Sequence, residues 1–130
     1  ASYGACESLK QDLAKSPSER LLLPAFDYNQ ELSESNDSHH NIKLNLQNLL
    51  WVMWGQSVEL DDDILLQLYD NYLAYVDAGL SDKTSNSLNG NCRFNDSDTG
   101  SQVRYDNDYL IRAWIATVNS MIDDYRFLFE

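Results

Sequence analysis

Apolar residues recur at spacings of three and four along four stretches of the chain, while alternation at period two is nearly absent. That pattern predicts helices and an all-α fold. The first stretch, about Tyr3 to Lys15, puts Ala5, Leu9 and Leu13 on one face. It ends at Ser16-Pro17, because a residue before proline avoids the α region. Ser18 to Leu23 adds a turn before Pro24, and Ala25 to Asn41 is polar and acidic, a surface loop carrying Asp27, Glu31, Glu34 and Asp37. The second helix runs from about Asn41 to Gln56, with Ile42, Leu46, Leu49, Leu50 and Met53 as its stripe and Gly55 as its stop. Leu44, Trp51, Val52 and Trp54 widen the apolar arc to most of the circumference. Such a helix is either central in the bundle or half of an interface, and a homodimer with an isologous helix-helix contact is the second expectation.

The third helix opens on Asp61-Asp62-Asp63, ends at Gly79 and encloses Ile64, Leu65, Leu68, Tyr69, Tyr72, Leu73 and Val76. Carboxylates in a first turn accept from unpaired N–H groups and complement the helix dipole, which accounts for the three aspartates without an ion. The last helix starts near Asp106 or Asp108, with Ile111, Trp114, Ile115, Val118, Ile122, Tyr125 and Phe129 as its core stripe. The sum is an irregular bundle of four to five helices in one domain, residues 1–130, with a long polar loop before the last helix.

That loop, Ser81 to Tyr105, is dense in Asn, Ser, Asp and Gly and holds the second of only two cysteines. Loops of this length inside a compact domain are usually functional or disordered. Read as a calcium loop with Gly100 sixth, Asn95 to Asp106 places its aspartates out of register and ends on Asp where the motif wants Glu. A recognition loop pinned at Cys92 fits the composition better. Cys6 and Cys92, without a second pair at close spacing, do not make a zinc site and read as one structural disulfide of an oxidising compartment. Two free thiols, or acylation of Cys6 in a degraded lipobox Tyr3-Gly4-Ala5-Cys6, are the alternatives. The opening Ala-Ser-Tyr-Gly-Ala-Cys reads as a processed secretory chain, with residues 1–4 as the remnant of a signal-peptide region.

Charge narrows the partners. Nine basic residues against twenty-one acidic give −12, which argues against nucleic acid and anionic membranes and makes a cationic partner the natural complement; solubility alone is the plainer reading. No stretch has the apolar length of a membrane span. Chemistry is sparse. His39 and His40 are adjacent and so diverge on a helix, and no phosphate loop, nucleophile elbow, HExxH or cofactor motif occurs. The chain therefore reads as a protein that is not an enzyme, with no cofactor and no metal.

The start Ser2-Tyr3-Gly4-Ala5-Cys6-Glu7-Ser8-Leu9, the segment Leu44-Asn45-Leu46-Gln47-Asn48-Leu49-Leu50-Trp51-Val52-Met53-Trp54 and the closing aromatic helix resemble the periplasmic immunity proteins of bacterial type VI secretion, in particular those directed against the lysozyme-like domain of a VgrG spike effector. The resemblance spans the whole chain but rests on size, compartment and helicity more than on a short motif, and no family binding residue maps onto a position here. It implies a periplasmic protein that binds a basic peptidoglycan hydrolase and occludes its substrate cleft. Loop position and charge nominate Phe94, Asp96 and Asp98, then Glu31, Glu34 and Asp37, as partner contacts, and Leu44, Trp51, Val52 and Trp54 as the dimer interface. Two other functions are compatible with the same sequence. One is a periplasmic chaperone or adaptor with a dye-binding apolar surface, and the other a carrier whose hydrophobic ligand lies between Trp114 and Tyr72.

Overall fold

The computed structural model describes residues 2–82, 86–106 and 108–129, with side chains from Gly4 to Asp124. Four helices make up most of it: α1 (Ser2–Leu13), α2 (Ser38–Trp54), α3 (Asp63–Asp82) and α4 (Leu110–Phe129). Each forms where the apolar period predicts it. The most extensive packing joins α3 to α4, with α1 on α4 and α2 on α3. One core results, in which Leu9, Leu13, Leu46, Leu49, Leu50, Leu65, Tyr72, Trp114 and Met121 are all buried. Trp114 lies between Tyr72, 4.4 Å between ring centres, and Phe26, edge-on at 6.3 Å. Tyr125 and Phe129, the last positions of the expected α4 stripe, lie outside the described side chains.

Helix ends follow local chemistry. Ser16 is extended before Pro17, and a 3₁₀ turn, Pro17–Glu19, follows. Gly55 adopts the left-handed conformation at φ 67°, so the N–H groups of Gly55 and Gln56 satisfy the last carbonyls of α2. At the start of α3, the Asp62 carboxylate accepts from Ile64 N–H at 3.0 Å, the local role its residue type favours.

One expectation needs correction and another refinement. Gly79 does not end α3, which continues to Asp82. The glycine serves contact instead: a Cβ there would sit 2.8 Å from Cγ and 2.9 Å from Cβ of Tyr109, closer than real side chains approach. Tyr109 is itself held at φ 60°, just before α4. The second point refines the all-α class, which holds for the four helices that make up most of the chain. The polar loop folds into a ribbon with a two-stranded antiparallel sheet, β1 (Phe94–Asn95) and β2 (Gln102–Val103), Phe94 opposite Val103. A bridge between Ser87 and Tyr105 continues the pairing. Leu88 N–H donates to Arg104 O and Asp106 N–H to Asn86 O, each at 2.7 Å. The strands are too short for alternation to show, and turn chemistry specifies them. Asp96 accepts from the N–H groups of Asp98 and Thr99 at 2.7 and 2.9 Å, and Gly100 supplies φ 71°.

The disulfide is present. Cys6 in α1 is bonded to Cys92, which ends a 3₁₀ turn, Gly90–Cys92, with 4.9 Å between the Cα atoms. It fastens the ribbon to α1, and both cysteines are buried.

Candidate functional site

The irregular segments are positioned by buried polar side chains rather than by apolar stripes. Asp12, on α1, is almost fully buried, and its carboxylate accepts from Leu21, Leu22 and Leu23 N–H at 2.7, 3.0 and 2.9 Å. Three such bonds offset the cost of desolvating a carboxylate. Arg20, also buried, donates to the carbonyls of Lys15, Leu23 and Phe26, the last at 2.6 Å. Burial lowers its pKa, opposed by the fields of Asp12, Asp27 and Asp96. From α2, Asn45 accepts from Ala25 N–H at 2.9 Å, and Asn48 donates to Leu21 O and Leu22 O. The acidic loop beyond is closed by its own serines: the Ser38 hydroxyl donates to Ser33 O and accepts from Ser33 N–H, both at 2.9 Å.

At the far end of the ribbon, buried Asp106 caps α4, accepting from Ile111 and Arg112 N–H at 2.9 Å each. Burial raises its pKa, and those two bonds counter the shift only in part. Arg112 returns to the ribbon, donating to Ser87 O, with its guanidinium 5.2 Å from the Tyr109 ring.

These constraints bring the two acidic segments together. Tyr28, from the first, packs edge-on against Phe94, from the second, with ring centres 5.3 Å apart. Between them opens a cleft of about 470 Å³ lined by Asn29, Glu31, Gln102, Arg104, Tyr105 and Asp108, with Leu110 and Ile111 in its wall. Tyr105 is 61% exposed there, an aromatic presented on a ribbon that the disulfide and Asp106 hold in place. Arg104 is turned along the strand to Gln102 Oε1 at 2.8 Å.

The nominated partner contacts divide accordingly. Phe94 is 3% exposed and belongs to the core, so it is not an anchor for a partner; packing against Tyr28 claims the ring. Asp96 is committed to its turn, and the Thr99 and Asp98 N–H groups hold its carboxyl below the ordinary carboxylate range. Asp98, at the turn, and Glu31, in the cleft, are exposed. Glu34 and Asp37 are exposed as well, nearer the start of α2, where Asp37 O accepts from Asn41 N–H. Tyr105, Asn29 and Asp108 are not legible in the sequence as a group, since only the folding of the ribbon brings them beside Glu31.

On α2 the nominated interface also divides. Trp51 and Val52 are 60% and 47% exposed, Leu44 is half-buried, and Trp54 turns inward to donate from Nε1 to Met121 O at 3.1 Å. His39 pairs with the Tyr69 hydroxyl at 2.6 Å, whereas His40 faces solvent. The carrier reading loses its cavity. Trp114 and Tyr72 pack on each other, and the space beside Tyr72 is about 20 Å³, room for one water at most. Among the described residues no group of three or more His, Cys, Asp or Glu is placed to hold a metal ion, and no helix is long and apolar enough to cross a membrane.

No protein-family model, no curated protein and no solved structure matches this chain. The site therefore has to be interpreted from its own chemistry.

Proposed function

We propose that the protein is a periplasmic immunity protein that binds a basic, lysozyme-like peptidoglycan hydrolase and blocks its substrate cleft. The observation that carries this reading is Tyr105, solvent-exposed on a fixed ribbon and set in one cleft with Glu31 and Asp108. An aromatic with its apolar body free and carboxylates beside it suits a partner surface rich in Lys and Arg, by cation–π contact and charge pairing. The net charge of −12 adds long-range attraction to a cationic enzyme that works on an anionic polymer. Asp98, Glu34 and Asp37, exposed elsewhere on the same two segments, add to the acidic surface. The disulfide suits an oxidising compartment, and tying the ribbon down lowers the entropy lost on binding.

Calorimetric titration against purified basic, lysozyme-like peptidoglycan hydrolases tests the reading, together with clearance of a peptidoglycan suspension. Wild-type protein is expected to bind and inhibit. Tyr105→Ala is expected to weaken binding by tenfold or more, in line with about 1.4 kcal/mol or more for a central aromatic, and Glu31→Lys to slow association. Neither substitution touches the core, so thermal unfolding should be unchanged. Unchanged affinity in both variants would overturn the assignment of the cleft, and absence of binding by the wild type would overturn the function.

A further inference from the structure

Asn89 is the one asparagine of the chain that precedes a glycine. Asn89 and Gly90 are both exposed, set between buried Leu88 and buried Cys92, and they open the 3₁₀ turn Gly90–Cys92. Asn89 stands at the N-cap of that turn with φ −57° and ψ 148°, yet its side chain makes no capping hydrogen bond. Asn36, Asn45 and Asn48, by contrast, commit their amides to Glu31 O, to Ala25 N–H and to the carbonyls of Leu21 and Leu22. Gly90 is the first residue of the turn, so its N–H has no acceptor within it. A Cβ at Gly90 would meet nothing within 4 Å, so space is open around the peptide nitrogen.

These are the conditions for attack by the backbone on a side-chain amide: a carboxamide that caps nothing, a following nitrogen with no side chain over it, and a main chain able to rotate. We infer that Asn89 is a site of spontaneous deamidation, with water as the co-reactant. The Gly90 nitrogen bonds to Cγ of Asn89, the Cγ–Nδ2 bond breaks, and ammonia leaves carrying the proton that Gly90 gave up; a five-membered succinimide remains. Water then opens the ring, at Cγ to aspartate or at the main-chain carbonyl to isoaspartate. The swing of Asn89 that this requires opens only a short turn, held by Cys92 N–H on Asn89 O at 2.9 Å and Arg93 N–H on Gly90 O at 3.4 Å. Either product adds a carboxylate to a cleft of about 310 Å³ that Asn89 lines together with Arg112, Asn91 and the two bonded cysteines. Isoaspartate also routes the main chain through the former side chain, which lengthens the path between Leu88, bonded to Arg104 O, and disulfide-bound Cys92. The ribbon is thereby altered where it is fastened to α1.

Incubation of the intact, oxidised protein in warm, mildly alkaline buffer, followed by peptide mapping in a mass spectrometer, tests this. A gain of about one mass unit, from replacement of NH₂ by OH, is expected at Asn89 ahead of every other asparagine, with isoaspartate among the products. Gly90→Ala is the informative variant. Gly90 is not among the glycines at positive φ and has room for a methyl group, so thermal unfolding should be unchanged. The new Cβ beside the attacking nitrogen is expected to slow the mass gain roughly tenfold. An equally fast gain in Gly90→Ala would mean that water attacks the amide directly, and it would overturn the inference. A folded protein that keeps Asn89 intact while the urea-unfolded chain deamidates there also overturns it, because the turn then protects the site.

Discussion

The helical stack of α2, α3 and α4 and the irregular half formed by residues 14–37 and 86–106 are held by different forces. In the stack, stripes of Leu, Val, Tyr and Trp face one another, and burial removes apolar surface from water at each turn. The irregular half relies on a few polar side chains bonded to backbone groups and on one covalent bond. Asp12 gathers three N–H groups, Arg20 three carbonyls, Asn45 and Asn48 stitch the 21–25 segment to α2, and Cys6–Cys92 fastens the ribbon to α1. In distributed apolar packing, a single lost contact costs stability while the other layers keep the shape. A structure held at a few points loses its shape when one point is cut, and the candidate cleft belongs to that second kind.

Removing the disulfide should make the largest difference. It closes a loop with 86 positions between its ends, for which chain entropy gives about 4–5 kcal/mol as an upper figure. A Cys6→Ala, Cys92→Ala double variant should therefore unfold at markedly lower denaturant. If the contrast between the halves is real, amide exchange within 86–106 should accelerate far more than exchange in the centres of α3 and α4, which open only with global unfolding. Equal acceleration in both would show that the ribbon and the stack are one cooperative unit.

Substitution of Asp12 is the next largest. Asp12→Ala leaves three backbone N–H groups near a buried site without their acceptor, and a loss of about 3 kcal/mol is expected in urea titration. Asp12→Asn, which keeps one carbonyl oxygen, should recover part of it. A loss below about 0.5 kcal/mol for Asp12→Ala, the range of ordinary surface changes, would mean that the 21–23 segment is held by its leucines instead.

The same division explains what the sequence discloses. Helices α2, α3 and α4 are written in a repeating apolar period, so Leu46, Leu65 and Trp114 can be recognised as core from their spacing alone. Asp12 gives no such signal: it sits beside Leu13 on an amphipathic helix and reads as a solvated acid. Arg20 is equally silent, because its partners are backbone carbonyls gathered by folding, and Asp106 is legible as a helix start but not as a buried carboxylate. Phe94 misleads in the opposite sense. A lone aromatic in a polar stretch looks like an exposed anchor, yet it is the plug that seats the ribbon against Tyr28, and Tyr105 is the aromatic left outside. Gly79 looks like a helix stop and is a contact under Tyr109. Chemistry local in sequence, such as the Gly55 cap and the Pro17 break, is readable; chemistry between distant segments is not.

The smallest expected effect separates two carboxylates of the ribbon by sign. Asp106 is buried, and burial raises its pKa above the ordinary 3.8. A raised folded-state pKa means the folded form keeps its proton longer than the unfolded form. The resulting stability is full below the unfolded value and is lost as pH rises through the folded one. Asp96 lies at the surface and is lowered from 3.8, chiefly by the Thr99 N–H and then by that of Asp98. Its contribution is present above the unfolded value and is lost as pH falls through the folded one. The advantage of wild type over Asp96→Asn should thus begin to fall only as pH drops below about 4, while its advantage over Asp106→Asn should grow on acidification toward about pH 4, above that range. Carboxyl-carbon NMR titration reads both directly, with the Asp106 midpoint above that of the unfolded chain and the Asp96 midpoint below it. Midpoints displaced in the same direction would mean that the turn at Asp96 does not hold its two N–H bonds in solution, and with them the fixed presentation of the ribbon that carries Tyr105.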